Sequence, residues 1–368
     1  MTLDSALKDI IETIRQARAE RAPLTIRGGG TKDFYGEPAG RPDRAGHSIL
    51  DMSALSGVLT YHPSELVITV RAGTRLAEIE RILEEQGQML AFEPPRLGRG
   101  GTIGGCVAAG LSGPRRMAAG KVGDFVLGSV VLNSSGVPLR FGGEVMKNVA
   151  GYDVSRLLAG SMGILGPIAE ISLKVLPKPL TEATTQLDVG QDEALALMSR
   201  WRGLPLPISA TCWESADGGQ GRLRVRLSGN ESAVRSARKT VGGVEIDAGP
   251  AGDYWTSLRD QTHPYFQAAS LWRVALPARA ADLEAGPTLI EWQGGQRWLS
   301  DVPSANALRM RVAELGGHAT FYRSSGDARH GAPVFHPLPK VLMALNRRLK
   351  QSMDPEGIFN PERLFTGL

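Results

Sequence analysis

Three glycine-rich turns in the first half of the chain limit its possible folds more than any other feature: Arg27-Gly28-Gly29-Gly30-Thr31-Lys32, then Gly101-Thr102-Ile103-Gly104-Gly105 running on to Gly113-Pro114, then Gly160-Ser161-Met162-Gly163-Ile164-Leu165-Gly166. Glycine removes side-chain bulk and permits backbone angles that other residues resist, so each stretch lets main chain approach main chain, or a ligand, closely. The first turn ends a short strand, Pro23 to Arg27. A strand that ends in three glycines and a hydroxyl gathers several N–H groups into a nest suited to phosphate oxygens. Arg27 and Lys32 flank that nest with positive charge.

Two common nucleotide scaffolds are excluded by spacing. No glycines stand in the G-x-G-x-x-G order of a dinucleotide-binding Rossmann turn. Gly120-Lys121 fails as a phosphate-binding P-loop, because Arg115 stands where the first glycine belongs and Val122 where the hydroxyl belongs. A nucleotide bound here sits on another scaffold.

The remaining pattern of the first half is alternating β and α structure. Leu3, Leu7, Ile10, Ile11 and Ile14 fit one face of an opening helix, and strands are expected at His47 to Met52 and Leu66 to Arg71. Thr74 to Gln86 reads as a helix with Leu76, Ile79, Ile82 and Leu83 on one side, followed by a strand at Met89 to Phe92. Phe125 to Leu132 and Val137 to Phe141 form a hairpin around Asn133-Ser134-Ser135-Gly136. A short helix opens after Asn148 to Asp153 and carries Leu157 and Leu158; the strand Ala169 to Val175 and the stiff Pro177-Lys178-Pro179 follow.

Residues 180–335 differ in character. All six tryptophans lie there, at 201, 213, 255, 272, 292 and 298, more as core and interface than as a stacking platform. Arg222 to Leu227 alternates polar and apolar residues, Glu231 to Thr240 reads as a helix, and a mostly antiparallel sheet with helices on one side is expected. From Pro339 the chain returns to the first domain, with Val341, Leu342, Leu345 and Leu349 on one helix face and Asp354-Pro355-Glu356-Gly357 as a type I turn before Asn360.

Composition narrows the function classes. At 368 residues, with 42% hydrophobic and 22% charged residues, the chain can build two cored domains of globular type. A net charge of +4, scattered along the sequence, is too mild for a nucleic-acid partner. Arg96, Arg99, Arg115, Arg116, Lys121 and Lys147 gather near the glycine turns, as an anionic cofactor would favour. Two cysteines, Cys106 and Cys212, cannot ligate an iron–sulfur cluster alone and match no zinc spacing, so no metal is expected and a reducing, cytoplasmic setting is the simplest reading. The N-terminus carries acids and is no signal peptide, and no apolar run approaches the roughly 20 residues of a membrane span. Attachment to an inner membrane would come through partner subunits.

The three turns, in this order, resemble flavoproteins of the vanillyl-alcohol oxidase or PCMH type. Val145-Met146-Lys147-Asn148-Val149-Ala150-Gly151-Tyr152-Asp153 and Asp354-Pro355-Glu356-Gly357-Ile358-Phe359-Asn360-Pro361 are similar to the FAD-binding subunits of bacterial glycolate oxidases. The resemblance spans nearly the whole chain. It implies an α+β fold: a PCMH-type FAD-binding domain of two α+β subdomains over residues 1–177, an inserted antiparallel α+β cap over 178–337, and a return over 338–368.

It further implies FAD as cofactor, held by Arg27, Gly28, Gly29, Gly30, Thr31, Lys32, Gly101, Thr102, Ile103, Gly104, Gly105, Ala108, Ser112, Gly113, Gly163, Ile164, Ile168 and Asn360. The pyrophosphate is expected on the first two turns and the adenine end near Gly163 to Ile168. For Asn360 a place near the flavin and a purely local turn bond both remain open. Met162 and Ile164 stand where relatives carry Glu and Thr, so only backbone contacts carry over there. Thr31 and Lys32 stand where covalent members place histidine, so the flavin is expected to be non-covalent.

Oxidation of a 2-hydroxy acid needs a cation for the carboxylate and a base for the hydroxyl proton. His318, His330 and His336 lie around Ser325 to Gly331, with His330 or His336 as candidate base. The family's Gly-His-x-Gly-Asp-Gly-Asn-x-His signature is incomplete there: the leading Gly-His is missing, the spacing to His330 is one residue short, and Arg329 intrudes. Three readings follow: a flavin subunit of a glycolate oxidase working with a homologous catalytic flavoprotein and an iron–sulfur subunit; a self-sufficient FAD-dependent 2-hydroxy-acid dehydrogenase; and a structural subunit with vestigial glycine turns. The first is preferred.

Overall fold

The computed structural model describes residues 3–38, 46–143, 153–216, 220–300, 302–324 and 332–368. The chain divides into two compact units: 1–111, 121–177 and 337–368 form the first, and 112–120 with 178–336 the second.

In the first unit, helix α1 (Leu3–Glu20) buries Ala6, Ile10, Ile14 and Ala17, spaced to share one helix face. That face packs into a core with Leu24, Leu50, Met52, Leu132 and Phe359. Strand β1 (Leu24–Arg27) runs parallel to β2 (Ser48–Asp51), register Leu24 to Ser48 through Arg27 to Asp51. A strand not anticipated from sequence, β3 (Val58–His62), pairs with β4 (Val67–Arg71), which leads to α2 (Leu76–Glu84). The strand expected at 89–92 shrinks to β5 (Gln88–Met89).

The central glycine tract is largely helical: α3 (Ile103–Ala109) starts at Thr102, whose hydroxyl accepts from Gly105 N, and stops at Gly110 in the left-handed region. Next come the short α4 (Arg116–Ala119) and α5 (Val122–Phe125), then β6 (Val126–Leu132) and β7 (Pro138–Gly142). The hairpin is closed as expected, with Asn133 Oδ1 accepting from Ser135 N and Val137 N. Helix α6 (Val154–Leu157) precedes β8 (Ile168–Lys174), and β9 (Leu176–Pro177), which runs into the first residue of the expected linker, pairs with β5. The main sheet of this unit has the order β3-β4-β8-β6-β7, antiparallel throughout.

The second unit is built on one eight-stranded antiparallel sheet. It runs through β10 (Thr181–Asp188), α7 (Gln191–Trp201), β11 (Ile208–Ser215), β12 (Gly221–Gly229), α8 (Glu231–Val241), β13 (Val244–Ile246) and α9 (Ala248–Asp260). It finishes with β14 (Ser270–Ala275), β15 (Thr288–Glu291), β16 (Gln296–Ser300), α10 (Ala305–Glu314) and β17 (His318–Ser324). The strand order is β13-β10-β12-β11-β15-β16-β14-β17. All six tryptophans are buried, as the core reading of them requires.

Two expectations about segment placement change. The segment 112–120 groups with the second unit rather than with an unbroken 1–177, because Trp292 Nε1 donates to Gly113 O, Arg115 pairs with Glu182 at 2.6 Å, and the Arg116 guanidinium lies 4.5 Å from the Trp292 ring centroid. Helix α11 (Lys340–Met353) does return to the first unit, but its apolar stripe faces outward: Val341 is 72% exposed, Leu342 46% and Leu345 52%. The helix is held by the opposite side, where buried Lys350 Nζ donates to Asp354 Oδ2, Ile164 O and Phe359 O.

Candidate functional site

Within the first unit the glycine turns meet at an open-sided cleft. Its floor and walls come from the end of β1, the start of α3, the turn at 162–166 and Asn360. Close main-chain packing explains the glycines: a Cβ on Gly28 would overlap Thr102 Oγ1, and one on Gly29 the Gly100 carbonyl. Gly163, at φ +76, is left-handed as well.

The amide N–H groups of Gly28, Gly29, Gly30 and Thr31 find no acceptor among the described residues. Four consecutive donors without protein partners at the lip of a cleft make a nest suited to an anion. Arg27 pairs with Asp33 at 2.7 Å, while buried Arg363 donates to Lys32 O and Asp33 O and so braces the loop from behind.

Asn360 joins two walls of the cleft. Its Oδ1 accepts from Ile26 N at 2.7 Å, and its Nδ2 donates to Met162 O at 2.6 Å. Asn360 (φ +42) and Met162 (φ +52) both adopt left-handed backbone, a local strain that packing around a site can hold. Asp354 accepts from Ile358 N and Phe359 N, and so fixes the approach to Asn360. Burial lowers the pKa of Lys350, and the adjacent Asp354 works against that shift.

Of the residues expected to hold a cofactor, Arg27, Gly28, Gly29, Gly30, Thr31, Lys32, Thr102, Gly104, Gly105, Ala108, Gly163, Ile168 and Asn360 line the cleft together. Gly101, Ile103 and Ile164 do not line it, although they lie in the same turns. Ser112 and Gly113 fall in the second unit. The second turn also contributes differently from expectation: Ile103 N donates to Thr74 O and Gly104 N to Ala72 O, so it offers a bare glycine surface rather than free donors. Met52, Ala72, Asp33 and Arg363 line the cleft too and were not anticipated; no motif in the sequence marks them. Of the basic residues read as gathering near the turns, Arg115 and Arg116 belong to the second unit, Arg96 pairs with Glu80, and Lys147 lies outside the described residues.

His330 and the 145–152 part of the family signature also lie outside the described residues. His336, in the second unit, accepts from Ala319 N through Nδ1, and burial with nearby Arg309 lowers its pKa. His318 is lowered as well, first by desolvation of its ring and then by Arg273, His336 and Arg116. Among the described residues no group of His, Cys, Asp and Glu could hold a metal, and no helix is long and apolar enough to cross a membrane.

Donor nest and bare glycine floor suit a flat cofactor that carries phosphates. A sequence family described as the FAD binding domain matches residues 5–142. Solved structures of alkyldihydroxyacetonephosphate synthase share the fold, with TM-score 0.70 at 16% identity over 96% of this chain and 74% of that one. The chain is an FAD-binding flavoprotein of the PCMH type. Over 361 residues it is 43% identical to glycolate oxidase subunit GlcE of Escherichia coli (strain K12), covering 98% of this chain and 97% of that protein. It belongs to the family of that subunit. Glycolate oxidase subunit GlcD of Bacillus subtilis (strain 168) is 33% identical over 164 residues, 45% of this chain and 34% of that protein.

Proposed function

We propose that the chain is the FAD-binding subunit of a glycolate oxidase complex that converts glycolate to glyoxylate and passes the electrons to partner subunits. The observation that carries the reading is the nest of free amides at Gly28 to Thr31, opening on a cleft in a chain similar along nearly its whole length to a glycolate oxidase subunit. Gly28 to Thr31, with Lys32, would hold the diphosphate. Gly104, Gly105 and Ala108 would leave room for the flat body of the cofactor, and Gly163, Ile168 and Asn360 would close the far wall. Bound FAD supplies the acceptor for the two electrons removed from the hydroxyl-bearing carbon.

The partners we infer are a homologous catalytic flavoprotein and an iron–sulfur subunit. Among the described residues, buried and unpaired Cys106 and Cys212 provide no internal electron route. Purification of this chain alone tests the reading: a yellow protein with about one FAD per chain is expected, reduced by glycolate once the partners are added. A chain that stays colourless when FAD is supplied, or a yellow complex inert to glycolate, would overturn it.

A further inference from the structure

Helix α11 is amphipathic the wrong way round for its own unit. At about 100° of turn per residue, Val341, Leu342, Leu345 and Leu349 share one stripe, the arrangement that a surface helix ordinarily turns toward its core. Here Val341, Leu342 and Leu345 are exposed and Leu349 is half-buried. The side that meets the first unit is instead centred on buried Lys350, with Met343, Asn346 and Met353 half-buried around it. Lys350 Nζ donates to Ile164 O, Asp354 Oδ2 and Phe359 O, so the helix is anchored without its apolar stripe. Scattered apolar residues on a surface need no explanation, but a contiguous exposed stripe marks an interaction surface.

Charge says what could cover the stripe. The helix contains no Asp or Glu, and its exposed Lys340, Arg347 and Arg348 pair with no carboxylate among the described residues. On the helix circumference these cations lie to one side of the stripe, with Arg348 next to Val341. A second copy of α11 offers them no counter-charge, because pairing the helix with itself brings cations to a helix that has no acid. A lipid surface is disfavoured as well, since no Trp, Tyr or Phe stands on the helix to sit at headgroup level. An apolar protein groove with a carboxylate edge answers both features. Leu342, Leu345 and Leu349 have the i, i+3, i+7 spacing that such a groove reads, and the basic edge would steer and orient the encounter.

We propose that α11 docks into an apolar groove, edged by Asp and Glu side chains, on another protein subunit. Val341, Leu342 and Leu345 fill the groove, and Arg347 and Arg348 meet its acidic edge. That a partner subunit exists rests on the glycolate oxidase reading, whereas the choice of surface rests on the helix. Because Lys350 holds Ile164 O, the docked helix is tied to the turn at 162–166 that walls the cleft.

Co-expression of the full chain with the catalytic flavoprotein and iron–sulfur subunit of its own organism, followed by purification through a tag on this chain, tests it. Leu345→Glu should lower the recovery of partner by about ten-fold or more, the effect of losing a central apolar anchor. Raised salt should weaken the wild-type complex, and the Arg348→Glu complex should be weaker at low salt and respond less to salt. Each variant purified alone should keep the wild-type FAD content and melting temperature. Undiminished recovery with Leu345→Glu, or a salt response that Arg348→Glu leaves unchanged, would overturn the proposal and leave the multi-subunit reading intact. A fall of several degrees in the melting temperature of isolated Leu345→Glu would also overturn it, for then the chain covers the stripe itself. So would a wild-type dimer in sedimentation, or flotation of the isolated wild type with phosphatidylglycerol vesicles, that Leu345→Glu abolishes. A wild-type chain that recovers neither subunit would refute the glycolate oxidase reading, and this surface with it.

Discussion

Gly104→Ala tests how closely the second glycine turn is fitted to its neighbour. A Cβ at Gly104 would sit 2.7 Å from Ala72 Cβ and 2.9 Å from Ala72 O, so the start of α3 has to move by about 0.7 Å to reach ordinary contact at 3.4 Å. That movement stretches the 2.8 Å bond from Gly104 N to Ala72 O. Overpacking costs about 1 to 3 kcal/mol and a weakened backbone bond about 1 more, while replacing glycine inside a helix returns about 1 kcal/mol. The net expectation is a loss of about 1 to 3 kcal/mol, which for a chain of this size lowers the melting temperature by roughly 2 to 8 °C. Gly104, Gly105, Ala108 and Ala72 all line the cleft, so FAD affinity should fall with it, by about ten-fold. Thermal unfolding with and without added FAD, together with flavin content after desalting, reads both effects. A variant with unchanged melting temperature and full flavin content would refute the packing argument. Gly252→Ala is the contrast: the position lies inside α9 with nothing within 4 Å of an added Cβ, so the variant should be more stable by about 0.5 to 1 kcal/mol.

Other outcomes follow from the same geometry. Lys350→Met leaves the Asp354 carboxylate, 0% exposed, without its cation, and should destabilise the first unit by about 3 to 5 kcal/mol in urea unfolding; a midpoint equal to wild type would contradict the anchoring of α11. Burial pushes Glu182 up, but Arg115 and Arg226 beside it and hydrogen bonds from Arg115 and Ser228 bring its pKa below the ordinary 4.5. Its folded pKa is therefore depressed, and its contribution is present above pH 4.5 and lost as pH falls below that value. Acid unfolding of Glu182→Gln should depend less steeply on pH in that window, and an identical profile would count against the pair. Burial raises the Cys106 thiol to about 11, so alkylating reagents should leave Cys106 unmodified in the native protein at neutral pH, and rapid labelling there would show the helix to be open.

Local chemistry made much of the first unit legible. The strand that ends in glycine and the Asn133 turn are signals carried within a few residues, and each formed where the sequence placed it. What could not be read depends on residues brought together from afar. Arg363 braces the Lys32 loop across more than three hundred positions, and Ala72 enters the cleft wall only because β4 ends beneath α3. The amides of Ile103 and Gly104 looked as available as those of Gly28 to Thr31, since a sequence does not say which carbonyl lies behind an N–H group. Helix α11 misled for the same reason: periodicity identified its apolar stripe, but a buried lysine on the opposite side decided which way that stripe faces.

The position of the cofactor's diphosphate decides whether the Gly28 to Thr31 nest holds it. A crystal structure of the chain grown with FAD should show its phosphate oxygens within about 3.2 Å of the amide nitrogens of Gly28 to Thr31. Phosphates bound elsewhere, with those four amides facing only water, would contradict it.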